Sequence, residues 1–559
     1  MRTIKPIGPT SCFSSACSVK NLWTGICFLL VELCERFTFF GIVCNMIPFC
    51  TVKLGHGNAE AAILNLSFIG TSILTPLLAG WFADVCGEKN KLIYVCLFLH
   101  LLGSALLSMI AFPLGHFSIG LYHTTNNLPT QEQTRLFYGA LLAISLGIGG
   151  IRTLCPLGTY SLQECGPQRP SAFCSWSYWI MNLNASVVFL GISFIQYSGA
   201  WPLVLLFPFI STLMALITLH MVHHNLIYQP EKCCSPLKVF GVLSHALKTC
   251  SLKSSDLVQC RTSWLDQGRE ENRSCYRGLH VQCTKTFVIL LLLFTLQILF
   301  RMCVVQIPSG FYLQTMHSNL NWEGFLLPVA VMNITNILPL LILAPLMEYC
   351  SNCLPPSTRD GRFLSACIIA GHLCAALSVM VAGILEIYRK HFPPMQQPRS
   401  GEAISVSSMP CAYLVLQYVL LGAAEMLVGP AFSVIYRFVP RAIRGSTRNL
   451  LTLFNGFGCF TGALLVQVIY LLTEGNWFPN TLNKGNLESF FFFLASLTLL
   501  NVLGFWSVSQ RYCNLNHFNA RNIHGSNLEE TFLLHEKSLK FYGSTQEFSS
   551  SIDLWETAL

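Results

Sequence analysis

Glu32-Leu33-Cys34-Glu35-Arg36 interrupts the first apolar run of this chain, which otherwise reads as a helix over roughly residues 21–50. On a helix the i, i+3, i+4 spacing sets both carboxylates and the guanidinium on one face. A charge at bilayer depth costs about 3 kcal/mol on insertion scales, so it is normally retained for a task. Arg152, Arg301 and Glu425 lie inside other apolar spans. Six such charges, three of each sign, call for a water-filled cavity within a helix bundle, built to handle protons or substrate.

Working outward, the composition agrees. Of 559 residues, 53% are hydrophobic and only 11% charged, against about 25% charged in a soluble domain. The chain is therefore read as a polytopic membrane protein. Twelve spans are predicted near 21–50, 61–83, 91–112, 136–158, 172–196, 201–223, 286–307, 325–347, 363–387, 408–436, 450–473 and 488–508. Each is long and apolar enough to cross a bilayer. The layout is a cytoplasmic N-terminus (1–20), a six-helix bundle (21–223), a cytoplasmic central loop (224–285), a second bundle (286–508) and a cytoplasmic tail (509–559). Six, a long loop, then six is the arrangement of transporters built from two halves.

Charge placement sets the expected topology. With both termini inside, 25 of the 34 Lys and Arg fall on the cytoplasmic side and six outside, Arg389 and Lys390 among the six. The net charge of +8 thus reflects membrane orientation and does not signal nucleic acid. Asn-x-Ser/Thr matches begin at Asn65, Asn184, Asn272 and Asn333, none in an expected outside loop, so no glycan is expected. The first apolar run leads straight into the Glu/Arg cluster, and no cleavable signal peptide is expected. The 25 cysteines are scattered, many within spans where Cys acts as a small hydrophobe. No Cys/His cluster has zinc-site spacing, so no metal is expected.

Between the second and third spans lies Gly80-Trp81-Phe82-Ala83-Asp84-Val85-Cys86-Gly87-Glu88-Lys89. This fits GxxxDxxGx[KR], the loop signature of the major facilitator superfamily. Gly80 and Gly87 would allow close helix approach and a tight turn, while Asp84 and Lys89 would serve a gating loop. Glu32-x-x-Glu35-Arg36-Phe37 followed by Gly41 resembles the ExxERF…G element of the proton-coupled oligopeptide transporter family. Span four carries Gly147-Ile148-Gly149-Gly150-Ile151-Arg152, similar to that family's GTGGIKP. Span five carries Phe173 through Asn182, including Tyr178, like its F-x-x-x-[FY]-[YW]-x-x-N stretch. Span ten carries Glu425, then Val439-Pro440-Arg441 through Gly445, like the family's Glu followed by APxxxKG.

The resemblance implies an all-α fold of two six-helix bundles with a site at the midplane. It implies proton coupling at Glu32 and Glu35, with Arg36 as their cation, and no cofactor other than protons. It implies substrate binding by Arg152, which would face a substrate carboxylate or the Glu32/Glu35 pair, and by Tyr178, Asn182 and Glu425, the last as acceptor of a peptide's amino group. The departures are as informative. The tyrosine pair after ERF is Phe39-Phe40, an expected Arg falls at Val43, a span-two His falls at Leu66, and an aromatic position in span seven has become Arg301. Arg301 is expected to pair with Glu425 and to share the substrate site.

The function expected is proton-coupled symport of a small organic solute, a peptide or peptide-like compound among the candidates. A transporter-like receptor or scaffold is the competing reading. No nucleophile–base constellation points to an enzyme. In the tail, Glu529 precedes Leu533-Leu534 by four residues, an acidic dileucine pattern for a sorting adaptor. The terminus Thr557-Ala558-Leu559 fits a PDZ domain. The expected membrane is the plasma or endolysosomal membrane. In the central loop, Cys233-Cys234 is a palmitoylation candidate.

Overall fold

The computed structural model describes residues 11–86, 89–111, 130–163, 170–197, 201–222, 278–353, 362–399, 402–438, 444–480 and 482–507. The first half comprises α1 (Ser11–Pro48), α2 (Asn58–Cys86), α3 (Lys89–Ala111), α4 (Thr130–Gln163), α5 (Pro170–Tyr197) and α6 (Trp201–Val222). The second comprises α7 (Gly278–Val304), a short α8 (Gly310–Met316), α9 (Val331–Cys353), α10 (Arg362–His391), α11 (Val415–Phe438), α12 (Arg444–Leu472) and α13 (Leu487–Ser507). Among the described residues, twelve long helices in two sets of six match the twelve expected spans and form an all-α major facilitator fold. Apolar side chains such as Phe98, Phe194, Met221, Leu472 and Leu500 stand exposed on the outer faces. Helices that satisfy their own backbone can present such a coat to lipid.

The largest buried core runs from Phe39, Leu66 and Ile144 in the first half to Phe311, Tyr418 and Phe491 in the second. The halves meet where α2 packs along α12 and α5 along α9. At one end they are fastened by polar and aromatic contacts. Asn58 donates from its backbone N to Asn480 Oδ1 at 2.9 Å and from Nδ2 to the carbonyls of Pro479 (3.1 Å) and Asn480 (2.9 Å). Tyr197 stacks on Phe325 with ring centroids 4.3 Å apart. This end also carries two antiparallel hairpins, β1 (Asn321–Trp322) with β2 (Phe325–Leu326) and β3 (Pro394–Arg399) with β4 (Glu402–Ser407).

Several helices start earlier than expected: α1 at Ser11 within the expected 1–20 terminus, α4 at Thr130, α7 at Gly278 within the expected 224–285 loop, and α12 at Arg444. Three further boundaries differ, each for a local reason. Span eight was expected from 325, but Glu323 and Gly324 adopt positive φ (51° and 87°) and turn the chain into the first hairpin. The helix starts at Val331 instead. Span ten was expected from 408; Pro410 is extended (ψ 135°), a single 3-10 turn follows at Cys411–Leu414, and α11 begins at Val415. Span nine was expected to end at 387, with Arg389 and Lys390 in an outside loop. α10 instead runs to His391, and Arg389 is buried inside the protein.

Span seven is followed by a turn and a second short helix. After α7 the backbone tightens, with Gln306 N bonding the Cys303 carbonyl (3.1 Å) and Ile307 N that of Val304 (3.2 Å). Pro308 prevents regular continuation, and α8 resumes two residues later. Asn65 Nδ2 takes up the Pro308 carbonyl at 2.9 Å. Irregular backbone at membrane depth is tolerated where protein buries it or it lines a cavity, and Val305, Ile307 and Pro308 do line one.

Candidate functional site

A cavity of about 290 Å³ lies between the halves. The first half lines it with Arg36, Phe39, Phe40, Val43, Arg152, Asn182 and Phe189, and the second with Arg301, Tyr312, Asn333, Asn336 and Glu425 among others. Its wall is mostly apolar, with three guanidinium groups and one carboxylate.

Arg152 reaches this wall because α4 presses against α3 and α2. A side chain at Gly147 would collide with the His100 backbone and Cβ, and one at Gly149 would sit 2.8 Å from the Thr75 carbonyl. The Gly147-x-Gly149-Gly150 run is thus a close-packing face. Arg152 Nε and Nη2 both lie 3.0 Å from Glu35 Oε1. Its Cζ stands 4.8 Å from the Phe39 ring centre, a cation–π contact. Its Nη1 lies 3.4 Å from the Ser72 carbonyl. That carbonyl is an acceptor because Pro76, four residues on, has no N–H to offer it. The same device recurs across the halves: Pro345 frees the Leu341 carbonyl, and Trp179 Nε1 donates to it at 2.9 Å.

Glu35 is almost wholly buried and sits between two cations, with Arg36 Nε 3.6 Å from its second oxygen. Arg36 also reaches Glu32 at 3.7 Å across one turn. The ExxER face expected from spacing therefore exists, extended by Arg152 into a four-residue cluster. Its arginines line the cavity and its carboxylates lie behind them.

Arg301 and Glu425 face each other from α7 and α11 at 4.0 Å, an ion-pair approach without a hydrogen bond. Glu425 Oε2 accepts from Asn336 Nδ2 at 3.2 Å. Two glycines set this geometry. A Cβ at Gly458 would fall 2.6 Å from Arg301 Cβ, and one at Gly422 would overlap the Asn336 carbonyl oxygen.

The remaining expected residues are placed less evenly. Asn182 lines the cavity. Tyr178 lies one turn earlier on α5 and Asp84 and Lys89 lie on α2 and α3, but their side chains fall outside the described residues, as does Gly87. At Gly80 an added Cβ would meet no described atom within 4 Å, so close helix approach is not the use of that glycine among the described residues. Cys233-Cys234, Leu533-Leu534 and Leu559 also lie outside the described residues. At the departures, Val43 lines the cavity and Leu66 is fully buried in the core.

Sequence reasoning missed three things. His100 is completely buried on α3, against Gly147. Asn336 holds Glu425, and only its place one turn before Leu340 on a cavity-facing helix stripe hinted at this. Glu386 and Arg389 form a fully buried bidentate pair (2.7 and 2.9 Å), and Arg389 also binds Asn483 Oδ1 at 2.8 Å. Their i, i+3 spacing at the end of span nine was the available signal. Among the described residues, no group of His, Cys, Asp and Glu could hold a metal ion.

Comparison with known proteins gives this architecture a lineage. The POT family model matches residues 92–481. Human "Solute carrier family 15 member 5" is 68% identical over all of this chain and 96% of its own length. Arabidopsis thaliana "Protein NRT1/ PTR FAMILY 8.1" is 25% identical over 88% of this chain and 94% of its own. Among solved structures, the POT family transporter PepTSo superposes with a TM-score of 0.66 at 18% identity, covering 88% of this chain and 98% of that one. The family resemblance read from ExxERF is borne out. The chain belongs to the POT family, and it is a multi-pass membrane transporter rather than an enzyme.

Proposed function

We propose that this transporter is a proton-coupled symporter of a small organic solute. The observation that carries the reading is the Glu32–Arg36–Glu35–Arg152 cluster behind the cavity wall. As a carboxylate, Glu35 holds two guanidinium groups. Once protonated it holds neither firmly, since the charge-assisted contacts are lost. Arg36 and Arg152 would then be released toward the cavity, where an anionic part of the substrate competes for them. Proton binding and substrate binding are thereby linked, and each favours the other. Arg152 remains charged throughout, so it transmits the proton's effect without itself carrying the proton. Rocking of the two halves about this site completes alternating access.

The test is uptake into proteoliposomes of a broad panel of small solutes and dipeptides under an imposed pH gradient. Glu35→Gln is expected to abolish gradient-driven accumulation while leaving solute exchange intact. Equal gradient-driven accumulation by the variant and the parent protein would overturn the proposal.

A further inference from the structure

Resting on that reading, we infer that the substrate is a small organic anion with an apolar body, and that its anionic head takes Arg301 from Glu425, which gains a proton in exchange. Four observations converge on this assignment.

The first is the charge census of the wall. Arg36, Arg152 and Arg301 line the cavity, against one lining carboxylate, Glu425. An ammonium group entering here meets three like charges and one lining carboxylate, which already faces a guanidinium. The second is the state of Arg301. Its nearest carboxylate oxygen is 4.0 Å away, and its buried Nε makes no hydrogen bond. Arg152, by contrast, is held to Glu35 at 3.0 Å. Arg301 is held to its carboxylate less closely than Arg152 is to Glu35, and a planar anionic head can engage its donors bidentately.

The third is Asn336. Its Nδ2 donates to Glu425, while its Oδ1 is buried without a hydrogen-bond partner and belongs to the cavity wall. A protonated Glu425 is itself a donor. Rotation of the Asn336 amide by half a turn brings Oδ1 to that O–H, so the protonated state has an acceptor already in place. The groups facing Glu425 are Arg301 from α7 and this amide from α9; α12 adds Cys459 beside Arg301. α10 packs on α11 through neutral Ser378 and Gln417. The fourth is size and surface. About 290 Å³ lies at the lower end of ligand pockets, which span roughly 300–1,000 Å³. Phe39, Phe40, Phe189 and Ile337 supply the walls for an apolar body.

The balance is simple. The anion adds one negative charge, the proton on Glu425 removes one, and the net charge of the site is unchanged. No bond other than the O–H is made.

The experiment uses the purified full-length protein and probes of one body and different charge: 3-phenylpropionate, phenethylamine and L-phenylalanine, with L-alanyl-L-alanine alongside. Calorimetry in buffers of different ionisation enthalpy reports affinity and proton uptake together. The expected result is binding of 3-phenylpropionate about tenfold or more tighter than phenethylamine, with proton uptake to which Glu425 contributes close to one proton. Arg301→Gln should lose about tenfold or more in affinity for the acid. Glu425→Gln should bind it with close to one proton fewer taken up than by the parent protein, and equal uptake by the two would overturn the assignment of that proton to Glu425. Tighter binding of the amine or dipeptide, binding of the acid without proton uptake, or no binding of the acid by monodisperse protein each overturns the inference. Acid binding without gradient-driven transport would instead overturn the symport reading alone, and gradient-driven dipeptide uptake without acid binding would overturn this inference alone.

Discussion

Replacing Arg389 with Met strands the fully buried carboxylate of Glu386. The pair is bidentate at 2.7 and 2.9 Å, both side chains have no exposed surface, and the guanidinium also binds Asn483. Removing one partner of a buried pair typically costs about 3–5 kcal/mol, because the other is left charged or must be neutralised. Replacing both with apolar groups of similar volume is often close to neutral. Arg389→Met and Glu386→Leu should each therefore cost about 3–5 kcal/mol, and the double variant should recover most of the loss. At about 2 °C per kcal/mol, the low end for larger domains, each single variant should melt roughly 6–10 °C lower. The assay is thermal unfolding of detergent-purified protein followed by size-exclusion elution, across the complete double-mutant cycle. Neither residue lines the cavity, so affinity of the surviving folded fraction for any ligand should not change. Melting shifts that simply add in the double variant, or single variants that melt with the parent, would refute the argument that the two charges stabilise by holding each other.

Other expectations follow from packing. Pro76→Ala restores an α2 N–H to the Ser72 carbonyl and removes an acceptor from Arg152; gradient-driven uptake should fall while thermal stability holds or rises, and unchanged uptake would refute that use of the proline. Gly422→Ala forces a methyl against the Asn336 carbonyl and should cost about 1–3 kcal/mol by overpacking, seen as a lower melting point and checked against Gly139→Ala, where an added Cβ meets nothing within 4 Å. Replacing Leu533 and Leu534 with Ala should move a tagged protein from endolysosomal membranes to the cell surface, as microscopy would show; an unchanged distribution would mark the dileucine match as chance.

The spans and the intramembrane charges were legible because both are properties of single segments. Apolarity over twenty residues announces a span, and Glu32, Glu35, Arg36 and Arg152 stand out against it. Their assembly was legible only in part. The i, i+3, i+4 spacing placed Glu35 beside Arg36, but the contact with Arg152 depends on how far α4 sinks against α2, at Gly149, and α3, at Gly147 and Gly150. The role of Pro76 was invisible for a related reason. A proline frees a carbonyl on its own helix, but which donor takes it depends on the register of another helix eighty residues away. Asn336 belongs to the same class, since nothing in its own segment marks it as the partner of Glu425. The short helix after Pro308 was missed because span seven was ended at 307, and the Glu386–Arg389 pair because Arg389 was placed in the loop beyond span nine.

The clasp at the hairpin end bears on which shape the transporter rests in. Asn58 makes three hydrogen bonds to Pro479 and Asn480 there, and the Tyr197–Phe325 stack adds an aromatic contact. Hydrogen bonds contribute about 0.5–1.5 kcal/mol each and an aromatic pair about the same, so opening this end forfeits on the order of 2–6 kcal/mol before water replaces any of it. A gap of a few kcal/mol leaves the alternative conformer at about 0.1–10% of molecules. Substrate arriving at the hairpin end therefore meets a rare host, and its apparent affinity from that side is weakened by the same fraction. Loosening the clasp with Asn58→Ala would tighten apparent affinity at that end and weaken it at the other, giving the carrier a different preferred direction without altering one atom of the cavity.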